Sequence, residues 1–355
     1  MNQVEYEDLI EILESKIVKW DHFEGKSFLI TGGTGLIGSM MTKMLLLRND
    51  IYNSKIRIVL LVRDSARSKK QLNSYPNAES VQYIEGSVEN VNLSEIDVDF
   101  IIHTAAPTKS SFFVNNPVET IESIVLGTMN VLNCAKNNNN NNIKSIVNVS
   151  SMESYGTIEN DNVTEENLGL IPLDSLRSSY PESKRMSELL AYSYSQEYNV
   201  NVTSLRLAQT FGAGITKSEN RVFKYFCDCI INDENIVLKS TGETIVNFCY
   251  LSDAIRAILI LLVDGKAGEI YNAAGDSKGM RIKDVAQWLI DDIGNQQKLI
   301  FDVDENEMFA PVNKMKLNCD KIKKLGWNPT VDIQEAYLRL IRSLEPSNNR
   351  GTTNG

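Results

Sequence analysis

The stretch Phe28-Leu29-Ile30-Thr31-Gly32-Gly33-Thr34-Gly35-Leu36-Ile37-Gly38 joins an apolar run to three spaced glycines and then to a second apolar segment. Glycines at 32, 35 and 38 leave no Cβ where the backbone turns sharply, where a phosphate must approach main-chain N–H groups, and where helix packs on strand. The pattern predicts a strand, a tight turn, and a helix beginning near Ser39 and running from Met40 to Arg48, its positive end aimed at the phosphate. A second strand over 56–62 follows and ends at Arg63-Asp64, where a residue that reads a ribose is expected. Glycine triplets also mark ordinary turns, so it is this strand–turn–helix–strand context that makes the stretch a dinucleotide site. Asp64 would pair with a ribose 2′-hydroxyl and favour NAD, whereas Arg63 could hold the 2′-phosphate of NADP.

Further strands are expected at 81–84, 100–103, 143–150 and 202–207, with helices at 118–136 and 180–198 between them. Strand and helix alternating in this way predict an α/β fold, a right-handed, doubly wound parallel sheet. Beyond about residue 210 the elements shorten, at 222–231, 236–238, 245–250 and 253–263, which predicts a smaller C-terminal α/β substrate-binding region. Apolar positions Val4, Leu9, Ile10, Leu13, Ile17 and Trp20 predict a helix over 4–20, packed on the sheet edge ahead of the first strand. The expected division is an N-terminal helical extension at 1–24, a cofactor domain at 25–208 with 157–179 on the substrate side, a substrate region at 209–345, and a flexible tail at 346–355. The asparagine-rich run 137–142 is expected to be an exposed loop.

Composition excludes several functions. With 355 residues, 42% of them hydrophobic, the chain can bury a sizeable core, while a net charge of -10 argues against a nucleic-acid surface. No apolar run approaches a membrane span and Met1 to Trp20 lacks a signal-peptide core, so a cytoplasmic protein with no membrane partner is expected. Cysteines 134, 227, 229, 249 and 319 show no metal-ligand spacing and read as reduced core thiols, and with His22 and His103 the only histidines, no metal site is expected. His103 is expected to hydrogen-bond backbone near the cofactor.

Acid–base chemistry must then use other groups. Tyr180 and Lys184 lie four apart at the start of a predicted helix, on one face, where an ammonium can lower the phenol's pKa by favouring phenolate. Such a pair can take a proton from a sugar hydroxyl while hydride leaves for a nicotinamide. Ser151 stands at the carboxyl end of a central strand, and the small residues Ala105 and Ala106 end another, so that a cofactor can lie against the backbone there.

Taken together, Thr31 to Gly38, His103-Thr104-Ala105-Ala106, Gly127 to Leu132, Ser150 to Gly156, Tyr180 to Lys184, Arg206 to Gly212 and Leu325 to Pro329 resemble the extended short-chain dehydrogenase/reductases, specifically the nucleotide-sugar epimerase/dehydratase group. The resemblance covers about residues 25 to 345. It implies a Rossmann cofactor domain, a nucleoside-diphosphate sugar substrate and NAD as cofactor, with NADP still open. It implies that Tyr180 is the catalytic base, that Lys184 binds the nicotinamide ribose and depresses the tyrosine's pKa, and that Ser151 hydrogen-bonds the reacting hydroxyl. The cofactor set is Gly32, Gly35, Leu36, Ile37, Gly38, Arg63, Asp64, Ala105 and Ala106, with Tyr180 and Lys184. The substrate set is Thr108, Ser151, Met152, Gln209 and Arg221. A homodimer formed through helices 118–136 and 182–198 is also implied, as is a setting in surface polysaccharide synthesis.

Within that group, Glu153 argues for more than epimerisation, because 4-epimerases typically carry small or apolar residues after the catalytic Ser or Thr. The 4,6-dehydratases carry Asp-Glu, and here Met152 stands in the acid's place. UDP-glucuronate decarboxylases carry a Ser/Thr-Ser-Glu run and a Tyr-x-Glu-Gly-Lys-Arg segment, which Tyr180-Pro181-Glu182-Ser183-Lys184-Arg185 resembles. Asn220 to Phe223 and Phe248-Cys249-Tyr250 are also similar to them, with Arg221 a candidate diphosphate ligand. Val246 departs from the pattern, since the decarboxylases have an arginine there that holds charged groups of the substrate; Arg221 or Lys224 would have to compensate. Gln209 and Ile124 stand where the family usually has Asn. The expected function is therefore a decarboxylase-like conversion through a transient 4-keto sugar, with Glu153 joining the catalytic set. The alternatives are a 4-epimerase, a 4,6-dehydratase, or a catalytically silent dinucleotide-binding protein.

Overall fold

A computed structural model describes residues 2–137, 142–158, 160–216, 219–303 and 314–345. The predicted tail at 346–355 and most of the asparagine-rich run lie outside them.

Strand β1 (Ser27–Thr31) is apolar on both sides because both faces of its sheet are covered. Phe28 and Ile30 enter one core cluster, and Leu29 enters the cluster on the opposite face. Neighbouring β2 (Arg57–Val62) alternates in the same way, with Ile58 and Leu60 on one side and Val59 and Leu61 on the other. Between them runs α2 (Leu36–Tyr52), which starts three residues earlier than the predicted Ser39. Gly35 serves as its N-cap with no side-chain cap, so the turn glycine itself opens the helix. The chain continues through α3 (Ser65–Leu72), β3 (Gln82–Glu85), β4 (Phe100–His103), α4 (Ser110–Asn115), α5 (Pro117–Ile121), α6 (Gly127–Asn137), β5 (Ser145–Ser151), α7 (Ser179–Tyr198) and β6 (Val202–Leu207).

The main sheet has seven strands, all parallel, in the order β3-β2-β1-β4-β5-β6 and then β10 (Ile270–Ala273). Order reverses between β1 and β4, so the crevice at their carboxyl ends is where a ligand binds in a doubly wound sheet. The predicted helix over 118–136 is interrupted by a π-turn, Glu122–Leu126, between α5 and α6. That turn carries the buried Ile124 into a small cluster with Phe113 and Tyr180.

The smaller C-terminal layer contains β7 (Gln209–Phe211) paired with β9 (Phe248–Tyr250), and β8 (Ile236–Leu238) paired with β11 (Leu299–Phe301). Its helices α8 (Val222–Ile231), α10 (Ile282–Asp292) and, after the short α11 (Asp320–Lys323), α12 (Ile333–Leu344) close on a separate aromatic core, in which Phe211 stacks on Phe223 at 4.7 Å. The chain is not confined to this layer after residue 208. Helix α9 (Leu251–Asp264), apolar nearly all round, packs on β5 and β6, and β10 then pairs with β6.

The N-terminal helix α1 (Gln3–Leu13) is shorter than predicted and packs on α2, α9 and α12, not on a sheet edge. Its carboxylates decide this. Asp8, fully buried, accepts from the Tyr250 hydroxyl at 2.7 Å and from Arg339 at 2.8 Å, Glu11 pairs with Arg339 at 2.7 Å, and Glu5 accepts from Tyr75 and pairs with Lys43. Val18 and Trp20 are buried beyond the helix end, Trp20 in a short 3-10 turn against Phe23. All five cysteines are buried and unpaired. Among the described residues no helix is long and apolar enough to cross a membrane.

Candidate active site

The glycine turn closes on the loop that follows β4. Gly32 has φ of +70°, and a Cβ there would come within 2.9 Å of the Ala105 amide; a Cβ on Gly38 would strike the Gly32 carbonyl. Thr104 donates to the Thr31 carbonyl at 2.6 Å and the Ala105 N–H to the Thr31 hydroxyl at 3.2 Å, which fastens the two loops across the switch point. Among the described residues, the amides of Leu36, Ile37 and Gly38 donate to no protein acceptor. They form the uncapped N-terminus of a 17-residue helix, the arrangement that suits a phosphate. The cradle thus fits a dinucleotide's pyrophosphate, with Ala105 and Ala106 half-buried beside it.

Asp64 and Arg63 stand exposed after β2. The Asp64 carboxylate caps α3 by accepting from the Arg67 N–H at 2.9 Å, so one of its oxygens already has a local partner.

His103 bonds to side-chain hydroxyls and not to backbone: its Nδ1 meets Thr31 Oγ1 at 2.8 Å and its Nε2 meets Thr128 Oγ1 at 3.2 Å. Burial, helped by the nearby Lys184 charge, pushes its pKa down to about 3 and keeps the ring neutral.

Ser151 at the end of β5, Glu153 in the turn after it, and Tyr180 and Lys184 in the first two turns of α7 lie close to one another. Ser151 Oγ accepts from the Glu153 N–H at 3.2 Å, and the Ser151 hydroxyl lies near enough to the Tyr180 phenol to favour its ionised form. The Tyr180 ring lies flat against Phe113, with centroids 4.3 Å apart and planes 5° off parallel. Burial, and then the Glu153 carboxylate, push this phenol well above the ordinary range; Ser151, Arg221 and Arg177 oppose the shift.

The geometry of Lys184 differs from the sequence expectation. Its Nζ donates to the Val149 carbonyl at 2.7 Å and lies 5.9 Å from the Tyr180 ring centroid, while burial is the largest influence on the phenol and drives its pKa up. Burial lowers its own pKa to about 8, against the favourable charge of Glu188. Spacing of four placed both residues on one face, but a carbonyl of the central strand β5 captured the ammonium.

The remaining predicted residues scatter more widely. Met152 is half-buried and packs on the main core, and Thr108 stands exposed between β4 and α4. Gln209 is half-buried on β7. Arg221 caps the start of α8, bonded to Glu219 at 2.7 Å and lying over the Phe223 ring at 4.9 Å. Lys224 is buried and paired with Asp228 at 2.6 Å, and Val246 packs against the C-terminal core.

Sequence reasoning missed two residues beside Tyr180. Phe113 carries no motif, and only the fold of α4 onto α7 brings it there. Arg177 lies three residues before Tyr180, in the short turn Leu176–Ser178, and its Nη1 donates to Glu153 Oε2 at 2.9 Å. Its nearness to Tyr180 in the chain was the available signal.

Residues 28–274 match the NAD dependent epimerase/dehydratase family. UDP-glucuronic acid decarboxylase 6 of Arabidopsis thaliana is 27% identical over 309 residues, covering 86% of this chain and 85% of the relative. A putative UDP-glucose 4-epimerase of Methanocaldococcus jannaschii is 27% identical over 327 residues, covering 91% and 99%. Among solved structures, UDP-glucose 4-epimerase of Thermotoga maritima with UDP-glucose superposes with a TM-score of 0.74 at 19% identity, over 89% of this chain and 98% of that one. At that identity the likeness speaks for the fold alone. The match spans the glycine turn, both sides of the switch point and the Tyr180 helix through to β10, and it makes this chain a member of the NAD-dependent epimerase/dehydratase family.

Proposed function

We propose that the chain converts a nucleoside-diphosphate sugar through a transient 4-keto intermediate, with NAD as cofactor, most like the UDP-glucuronate decarboxylases. The observation that carries this is the meeting of Ser151, Glu153 and Tyr180 above the carboxyl end of β5. Gly32, Gly35, Leu36, Ile37, Gly38, Ala105 and Ala106 would hold the dinucleotide, with Arg63 and Asp64 at its adenosine ribose and Tyr180 and Lys184 at the nicotinamide end. Bound there, NAD would supply the hydride acceptor and donor for C4 of the sugar.

The chain's own residues handle the proton. Tyr180 takes it from the C4 hydroxyl, which Ser151 orients. Its phenol must first ionise, and the cations within reach are Arg177, Arg221 and Lys184, the last on release from the Val149 carbonyl. Oxidation at C4 of a uronate makes a β-keto acid, which loses carbon dioxide readily. Met152 offers no proton for a departing hydroxyl, and its thioether packs on the core, so dehydration is the weaker reading. Val246, which leaves the decarboxylases' arginine position apolar, speaks against decarboxylation and, with Ile124, for a catalytically silent dinucleotide-binding protein as the alternative, which the intact Ser151, Tyr180 and Lys184 oppose. In this reading residues 25–208 chiefly bind the cofactor and 209–345 the substrate, with Thr108, Gln209 and Arg221 on the substrate side.

The test is mass spectrometry of products from UDP-glucuronate, UDP-glucose and dTDP-glucose supplied with NAD. Loss of carbon dioxide from UDP-glucuronate is expected. Loss of water from a hexose donor would mean a dehydratase, an isomer at unchanged mass an epimerase, and no product a silent binder. Tyr180→Phe should slow the conversion by at least about 100-fold, the scale of a lost general base.

A further inference from the structure

Arg177 sits one turn before Tyr180, and no motif accounts for it. Among the described residues its guanidinium makes a single hydrogen bond, Nη1 to Glu153 Oε2 at 2.9 Å, and both side chains are accessible, 46% for Arg177 and 33% for Glu153. An accessible one-point ion pair contributes at most about 1 kcal/mol, so it exchanges readily for a two-point contact. Lys184, Lys224 and Arg185 are held more firmly: Lys184 donates to the Val149 carbonyl, Lys224 to both oxygens of Asp228, and Arg185 to the carbonyls of Ser154, Tyr155 and Gly169. Arg221 also has a one-point contact, to Glu219, and lies over the Phe223 ring. A guanidinium has five N–H donors, and Glu153 uses one of those on Arg177.

We infer that Arg177 reads an anionic substituent on the sugar, exchanging Glu153 for the carboxylate of a uronic acid and making acidic nucleotide sugars the preferred substrate class. The inference rests on the nucleotide-sugar reading above. Arg177 is placed to do this because it ties together the groups that flank the reacting hydroxyl: its partner Glu153 follows Ser151 by two residues, and its own charge reaches the Tyr180 phenol. A planar two-point contact with the sugar's carboxylate would fix that group's orientation and also offset its repulsion from Glu153. A neutral hexose gives Arg177 nothing better than Glu153 and leaves the pair intact.

The test is calorimetric binding of UDP-glucuronate and UDP-glucose to the full chain supplied with NAD, in a Tyr180→Phe background so that neither sugar is consumed. Arg177→Gln is expected to weaken UDP-glucuronate binding by about tenfold or more while moving UDP-glucose by less than about twofold, as befits a lost charge-assisted bond. Arg177→Lys should recover part of the loss. Glu153→Gln, which frees the guanidinium, should tighten UDP-glucuronate binding, a direction that lost packing cannot produce. Equal weakening of both sugars, or unchanged UDP-glucuronate binding in Arg177→Gln, overturns the inference and leaves the nucleotide-sugar reading standing. A parent chain that binds neither sugar overturns both.

Discussion

His103 shows how a single buried ring can make a fold sensitive to acid. Its pKa is about 3 in the folded protein and near 6.5 when the chain unfolds. Between those values the unfolded state binds a proton that the folded state does not, so stability falls as pH drops through that window. By pH 4 the loss from this one residue is about 3 kcal/mol. Denaturant unfolding at pH 7 and pH 4 should show it, and His103→Gln, which cannot titrate, should lose measurably less over the same interval. The sequence placed His103 beside the cofactor loop, but not which groups it would meet. Thr31 and Thr128 are distant in sequence and reach the ring only because β1 lies against β4 and α6 crosses behind.

At the scale of elements, the junction of β1 with α2 is the least forgiving part of the chain. Gly38 has no room for a methyl group, since the Gly32 carbonyl occupies the place a Cβ would take. Gly38→Ala should therefore displace the start of α2, cost about 1–3 kcal/mol in stability, and reduce the rise in melting temperature on adding NAD. Thermal unfolding with and without NAD measures both effects. This junction was legible from the glycine spacing because every constraint on it is local. The helix over 118–136 was legible only in outline: its π-turn answers the need to seat Ile124 against Phe113 and Tyr180, a contact between three separate elements.

For the whole molecule, one surface stands out. Val118, Ile121, Leu126 and Met129 on α5, the π-turn and α6, with Met186, Leu189 and Tyr192 on α7, are large apolar side chains left exposed on helices that pack together. Such a face suits the expected homodimer. Light scattering should give twice the 39.8 kDa chain mass, and Leu189→Asp combined with Met129→Glu should give the monomer with its fold intact. At the same scale, α1 ties the layers together. Its carboxylates reach α2 through Lys43, α12 through Arg339 and the end of β9 through Tyr250, so the N-terminal extension joins the cofactor side of the molecule to its C-terminal layer.

The doubly wound sheet, the glycine cradle and the pairing of Tyr180 with Lys184 on one helix face follow from periodicity and spacing, which act over a few residues and can be read along the chain. The direction of Lys184, the stacking of Phe113, the Arg177–Glu153 pair and the return of β10 to the main sheet do not. Each depends on which groups meet when distant segments pack, and burial then decides the charge state of what has met. Sequence by itself determined the architecture and the spacing that brings Ser151, Tyr180 and Lys184 toward one end of the sheet; the tertiary structure alone decided which further groups join them and the electrostatics that result, because a carbonyl, a ring or a carboxylate within hydrogen-bond reach outweighs any local preference.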